Sequence, residues 1–251
     1  MYKYAFTFII GYRHRPDRLQ NLRKVLAWLT GFSGVEIIIV EQDNAPKIKN
    51  INLPGKYFFT KSDLPYNRSW AFNVGAKYAT TDVIVFGDSD LIMNPNEMID
   101  SLQNLKNYDT ISPYQKVIDL MQHELNMNFD QLKMITRPGR GETDNRKINF
   151  SGGMVIMKKE AFLKIGGWPE EFIGWGGEDN FVTHKIEKFL KFKEMPYTCY
   201  HLPHGQEQIN QGYYQNSLNL LQQFMNCTTE QLQQYIANTL PRIGFVNKYE
   251  L

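Results

Sequence analysis

Residues 83–90 read VIVFGDSD. The run Val83–Phe86 is apolar and mostly β-branched, and it passes through Gly87 into two carboxylates one residue apart, Asp88 and Asp90. A short continuous apolar run of this kind predicts a strand buried on both faces, as in a parallel sheet. Such a strand aims its carboxyl end at the crevice where ligands of open α/β sheets bind.

The same pattern recurs upstream. Residues 4–10 (YAFTFII) predict a buried strand that stops at Gly11, and residues 35–40 (VEIIIV) a second that runs into Glu41, Gln42, Asp43 and Asn44. Residues 57–60 (YFFT) predict a third. Between them, Leu19, Leu22, Leu26 and Leu29 recur at helical spacing, and residues 68–79 (RSWAFNVGAKYA) predict another helix. Strands alternating with helices predict an α/β fold, a mixed sheet flanked by helices. Polar clusters at Tyr12–Arg15, Glu41–Asn44 and Asp88–Asp90 then fall at strand ends.

Downstream, helices are expected at 96–109, 158–165 and 179–190, and strands at 154–157 (MVIM) and 197–201 (YTCYH). The stretch 113–147 is polar, and Arg137-Pro138-Gly139-Arg140-Gly141 reads as a mobile loop. Two Gln-rich amphipathic helices are expected at 215–225 and 230–240, the second capped by Thr228 or Thr229.

Composition narrows the function classes. The chain has 251 residues, 42% of them hydrophobic and 22% charged, enough to bury a core. A net charge of +2 with no long basic block argues against nucleic acid as a partner. Two cysteines, Cys199 and Cys227, make neither a disulfide framework nor a CxxC metal site. No window reads as a membrane span or a cleavable signal, so a cytoplasmic location is expected, compatible with peripheral association at a membrane.

Four groups of residues could carry chemistry. Asp88 and Asp90 can present oxygens to one hard cation, Mg²⁺ or Mn²⁺. Trp175-Gly176-Gly177-Glu178-Asp179 joins an aromatic face, two flexible glycines and an acidic pair opening a helix. A tryptophan beside a carboxylate suits holding a sugar ring while taking a proton from its hydroxyl. His201, at a strand end, or His204 can complete a metal site, the strand end being the more rigid mount. Tyr12, Arg13, Arg15 and Arg68 line the crevice edge, where arginines can neutralise a diphosphate.

In order, FIIGYRHRPDRL, VEQDN, YNRSWAFNVGAKYA, FGDSDLI, NFSGGMVIMKKEAFLKIGGWPEEFIGWGGED and CYH make a series that resembles the β-1,4-galactosyltransferases and the related bacterial chondroitin-polymerase-type enzymes. The resemblance runs from about residue 6 to residue 204 and implies the GT-A fold, a Rossmann-like nucleotide-diphospho-sugar transferase. It implies a domain over 1–211, with a nucleotide-binding half to about 95 and an acceptor-binding half from about 96, and a helical extension over 212–251 packed on it.

The activity it implies is inverting, metal-dependent transfer of a hexose or N-acetylhexosamine from a UDP-sugar to a hydroxyl of a glycan or glycoconjugate acceptor. By the same resemblance Tyr12, Arg13 and Arg15 look like the nucleotide turn, and Asp43 or Glu41 like the uridine contact. Asn67, Arg68 and Asp88 would join the donor site, with Gly152 and Gly153 letting the donor sugar near the backbone. Trp175, with Gly176 and Gly177, would hold sugar, Glu178 would bind its hydroxyls and Asp179 would be the base. Asp90 and His201, with Asp88 and His204 as further candidates, would hold Mn²⁺ or Mg²⁺. Two departures stand out: Asn180 replaces a further acidic residue, and Phe150, expected to face the donor sugar, replaces a tyrosine. A metal-dependent nucleotidyltransferase or phosphohydrolase, and a non-catalytic glycan-binding module, are the competing readings.

Overall fold

The structure is a computed structural model describing residues 3–140, 142, 148–205 and 208–248. In chain order its elements are β1 (Lys3–Tyr12), α1 (Pro16–Leu29), β2 (Ser33–Asp43), β3 (Lys56–Lys61), α2 (Arg68–Tyr78), β4 (Val83–Gly87) and β5 (Leu91–Met93). Then come α3 (Pro95–Asn104), β6 (Thr110–Ser112), β7 (Lys116–Asp119), α4 (Phe129–Leu132), β8 (Met154–Lys158), α5 (Lys159–Lys164), α6 (Glu178–Phe189), β9 (Phe192–Glu194), β10 (Thr198–His201), α7 (Gln211–Met225) and α8 (Thr229–Thr239).

Seven strands form one mixed sheet in the order β3-β2-β1-β4-β8-β6-β9. β1 runs parallel to both β2 and β4, whereas β8 runs antiparallel to β4. β1 is buried on both faces: Phe6, Phe8, Ile10 and Tyr12 pack with α1 residues Leu22, Val25 and Leu26, and Ile9 packs with α2 residues Ala71 and Val74. This double burial is why the strand reads as an unbroken apolar run. From β1 the chain goes outward to β2 and later returns on the other side as β4, so the strand order switches direction between β1 and β4. In open α/β sheets the carboxyl ends at such a switch are where ligands bind.

Three short strands make a second sheet, β5-β10-β7. β5 begins directly after Asp90, and β10 pairs with it antiparallel, setting His201 opposite Leu91. β7 flanks β10 on the other side in parallel register, setting Asp119 opposite His201. Residues before and after position 95 therefore share both sheets. Arg137 and Arg140 do not form a loose loop: Arg137 pairs with Glu124, and Val117 and Arg140 form an isolated antiparallel bridge. Gly141 lies outside the described residues.

The last helices dock on the domain. Phe224 of α7 stacks on Phe181 of α6 at 4.1 Å between ring centroids and 6° between planes, and Phe172, Leu232 and Tyr235 complete that cluster. α7 starts at Gln211, earlier than its apolar periodicity suggests, because Asn210 accepts from the backbone N–H groups of Gly212 and Tyr213. Thr228 caps α8 in a capping box with Gln231. Among the described residues no helix is long and apolar enough to cross a membrane.

Candidate functional site

Asp88 leaves the end of β4, and Arg68 opens α2 one layer away. Arg68 donates from Nε to Asp88 Oδ1 at 2.7 Å, from Nη1 to Asp179 Oδ1, and from Nη2 to the Gly153 carbonyl at 3.3 Å. One nearly buried guanidinium thus ties the end of β4 to the first turn of α6. Its plane lies over Phe72 and Trp168, at 4.7 and 5.1 Å from their centroids. Burial works against its charge, but Asp179 and Asp88 hold Arg68 firmly protonated. Burial raises the carboxyl pKa of both aspartates, and Arg68 pulls each back.

α6 is preceded by Gly177 at its N-cap, whose φ of 92° lies in the left-handed region open to glycine. A Cβ there would also meet the Phe172 ring at 2.6 Å. Two acidic residues, Glu178 and Asp179, occupy the first turn, where the helix dipole favours negative charge. Glu178 is pushed up by burial and then by the charge of Asp179. Its Oε2 is buried and has no hydrogen-bond partner among the described residues. Such an orphaned acceptor beside an acidic pair fits a ligand hydroxyl. Gly153, with φ of 76°, abuts the Tyr114 hydroxyl and the Leu91 side chain, and its carbonyl also accepts from the Asp88 backbone N–H at 3.0 Å.

Asp90, His201 and His204 converge on one another. One ligand atom from each lies within 4.8 Å of the others. His201 Nε2 is 3.8 Å from Asp90 Oδ1, and His204 Nε2 is 3.3 Å from Asp90 Oδ2. The pairing of β10 with β5 produces this approach, and the Leu202 N–H donates to the Asp90 carbonyl at 2.7 Å. Burial and the charge of Arg140 push His201 down to about 4, against Asp119, so its imidazole is neutral at pH 7 and can donate a lone pair. A carboxylate oxygen and two imidazole nitrogens make a donor set that fits a divalent transition ion. Both histidines join the cluster, whereas Asp88 is engaged by Arg68.

Several expected contacts have other roles. Glu41 is fully buried and accepts from the Lys47 and Ile48 backbone N–H groups and from the Tyr57 hydroxyl, so it is a structural anchor and Asp43 is left as the acidic group at that strand end. Asn67 caps α2 through the Trp70 N–H and donates to the Glu170 carbonyl. Phe150 does not face a crevice: it is 3% exposed and packs edge-on against Phe192. Tyr12 is buried with its hydroxyl on His14 Nδ1, Arg13 donates to the Leu64 carbonyl, and Arg15 pairs with Asp17. The carboxylate oxygen Asp179 Oδ2 would lie 3.7 Å from a Cβ on Gly152. Trp175 is 61% exposed, and its ring meets that of Tyr214 on α7 at 5.6 Å. Gly176 allows that contact, since a Cβ there would meet the Tyr214 ring at 3.1 Å. Sequence reasoning missed Tyr214 on α7 and the pair Asp119 and Arg140 beside His201.

Residues 142–204 match the model described as the N-terminal domain of galactosyltransferase. β-1,4-Galactosyltransferase 5 of Homo sapiens is 26% identical over 213 residues, covering 74% of this chain and 47% of that protein. The Danio rerio form is 26% identical over 129 residues, covering 49% of this chain and 27% of that protein. The chain thus spans less than half the length of these curated relatives. Among solved structures, S. aureus TarS in complex with UDP-GlcNAc superposes with a TM-score of 0.61 at 15% identity, covering 94% of this chain and 70% of that one. A Drosophila β-1,4-galactosyltransferase 7 mutant in complex with manganese, UDP-Gal and xylobiose gives 0.51 at 16% identity, covering 84% and 79%. These likenesses show the GT-A fold. The model for glycosyl transferase family 2 matches residues 9–166, well over half of the chain, and the protein belongs to that family.

Proposed function

We propose that the chain is an inverting, divalent-metal-dependent glycosyltransferase moving a hexose or N-acetylhexosamine from a UDP-sugar to a glycan hydroxyl. The observation that carries this reading is the Arg68 bridge, which sets the end of β4 and the acidic start of α6 around one centre. A strand-end carboxylate, a histidine–aspartate cluster and an acidic pair with an unpartnered oxygen supply the kinds of group that metal-assisted sugar transfer needs.

In this reading Asp90, His201 and His204 hold the cation, and Mn²⁺ suits them better than Mg²⁺, which takes oxygen donors. The cation supplies positive charge against the negative charge that builds on the diphosphate as it leaves. Asp179 accepts the proton of the acceptor hydroxyl, the oxygen attacks the anomeric carbon from the opposite face, and the bond to the diphosphate breaks with its electron pair leaving on UDP. Burial raises the Asp179 pKa, and a base closer to neutrality takes a proton more readily. Glu178 Oε2 accepts from a sugar hydroxyl, and the exposed Trp175 ring supports a sugar face. Asp43 serves the base or ribose, and Arg13 and Arg15 lie at the nucleotide end. The relatives that carry the names of galactosyltransferases, and the solved neighbours bound to UDP-sugars, support a UDP-sugar donor. A glycan acceptor agrees with the xylobiose bound by one neighbour.

The test is UDP release and product formation across a panel of UDP-sugars, with and without chelator. Asp179→Asn is expected to lower transfer by about 10²- to 10⁴-fold while UDP binding holds. Equal loss of both would remove Asp179 as the base, and full activity in chelator would remove the metal.

A further inference from the structure

We propose that Asp119 is a positioning residue for His201: its carboxylate accepts the Nδ1–H of that imidazole and so leaves the Nε2 lone pair facing Asp90. The inference rests on the reading of Asp90, His201 and His204 as a cation site. Asp119 is the last residue of β7, and the parallel register of β7 with β10 sets it directly beside His201. His201 Nδ1 lies 2.9 Å from Asp119 Oδ1, while Nε2 on the other edge of the ring points to Asp90 at 3.8 Å.

Asp119 is itself held in place. Arg140 donates from Nε to its Oδ2 at 2.8 Å and from Nη2 to its Oδ1, a two-pronged pairing that fixes the carboxylate plane. Arg140 is anchored by its own backbone N–H, which donates to the Val117 carbonyl at 2.8 Å. Arg137 fixes the strand end from the other side, donating to the Asp119 carbonyl at 2.5 Å and pairing with Glu124.

The tautomer follows from donor arithmetic. A neutral imidazole carries one N–H and one lone pair, and the partner of one nitrogen decides the role of the other. Arg140 Nη2 also approaches His201 Nδ1, at 3.3 Å, and a hydrogen bond from it would require the opposite tautomer. The carboxylate is closer, a carboxylate paired with arginine only accepts, and Arg140 Nη2 is already committed to the same Asp119 oxygen. Nδ1 is therefore the donor. Carboxylates that orient the histidine ligands of metals act in this way and also raise the basicity of the ligating nitrogen.

The full chain is to be studied in two ways: long-range ¹H–¹⁵N spectra of the metal-free protein, which separate the histidine tautomers, and Mn²⁺ titration followed by the electron paramagnetic resonance of the free ion. The wild type is expected to show His201 protonated on Nδ1. Asp119→Ala is expected to shift that tautomer to Nε2–H and to weaken Mn²⁺ binding by about 10- to 100-fold. Asp119→Asn, whose amide oxygen still accepts, is expected to keep the tautomer and lose less affinity. Either an Nε2–H tautomer in the wild type, or Mn²⁺ binding by a folded Asp119→Ala equal to the wild type, overturns the role of Asp119 while leaving the cation site standing. Absence of Mn²⁺ binding by the wild type overturns the cation site and this inference together.

Discussion

Replacing Arg68 by methionine tests the centre of the site. Methionine keeps an unbranched apolar body to fill the space between Phe72 and Trp168, so little packing is lost. What disappears is the positive charge, with three hydrogen bonds to Asp88, Asp179 and the Gly153 carbonyl. Breaking a buried ion pair by removing one partner costs about 3–5 kcal/mol. The Asp88 side chain is 37% exposed and part of its charge is screened, which places the expected loss at the low end, about 3 kcal/mol. For a chain of this size that is a fall in Tm of about 6–12 °C. In the variant both aspartates lose their counter-charge, and their folded-state pKa values rise further above the unfolded ones. A carboxylate raised in this way penalises the folded state above its folded pKa, and the penalty fades as pH falls toward the unfolded value, about 4. Urea unfolding of both proteins at about pH 7.5 and about pH 5 is therefore expected to show a gap at least about 1 kcal/mol smaller at the lower pH. Adding Asp88→Asn to Arg68→Met is expected to restore about 1–2 kcal/mol, the coupling between neighbours. A gap under about 1 kcal/mol at the higher pH, or one that is the same at both, would refute the charge bridge.

Two further outcomes follow from other residues. Glu36 accepts from Thr7, Lys56 and the Thr80 N–H; burial opposes its charge, yet these donors bring it down to about 2, so its contribution is present above about pH 4.5 and is lost as pH falls toward 2. Glu36→Gln is expected to cost about 1–2 kcal/mol at pH 7, after discounting for solvent screening, and urea unfolding at about pH 3 should show that gap closing; an unchanged gap would sink the assignment. Trp175→Ala is expected to raise the acceptor KM by about 5- to 30-fold, the equivalent of about 1–2 kcal/mol, with donor KM unchanged in initial-rate measurements; a shift in donor KM alone would place the ring elsewhere.

The elements legible in the sequence were those whose burial writes a long pattern. β1, β2 and β4 are buried runs ending in polar residues, and α1 carries a leucine at nearly every turn of one face. β5, β6, β7 and β9 span only three or four residues each, too few to show a period, and exist through the neighbours they pair with. The site divides in the same way. Asp88, Asp90, Arg68, Asp179 and His201 stood out as charged or polar residues at the ends of readable elements. Asp119 could not, because the strand that carries it is invisible alone, and Arg140 sits in a Gly-Pro stretch that reads as loose. Glu41 and Asn67 show the opposite difficulty: a polar residue at the end of an element reads alike whether it meets a ligand or its own chain. Only the donors around Glu41 and the cap made by Asn67 tell the two apart.

The path of the chain after α8 sets a limit on how the protein can be trimmed. The Trp70 indole N–H donates to the Phe245 carbonyl at 2.7 Å, the Gly244 N–H donates to Glu170 Oε1 at 2.7 Å, and Lys248 pairs with Glu170 Oε2 at 2.8 Å. Trp70 and Glu170 are both buried, and Glu170 also receives Asn73 of α2. A fragment cut at residue 204, where one family match stops, would leave the Trp70 indole donor and the Glu170 carboxylate without these partners, and one cut at residue 166, where the other stops, would also remove Glu170 from beside Asn73 of α2, the helix that bears Arg68. Expression boundaries therefore belong past Lys248, because the buried hydrogen bonds of the fold extend beyond the stretch that the family models match.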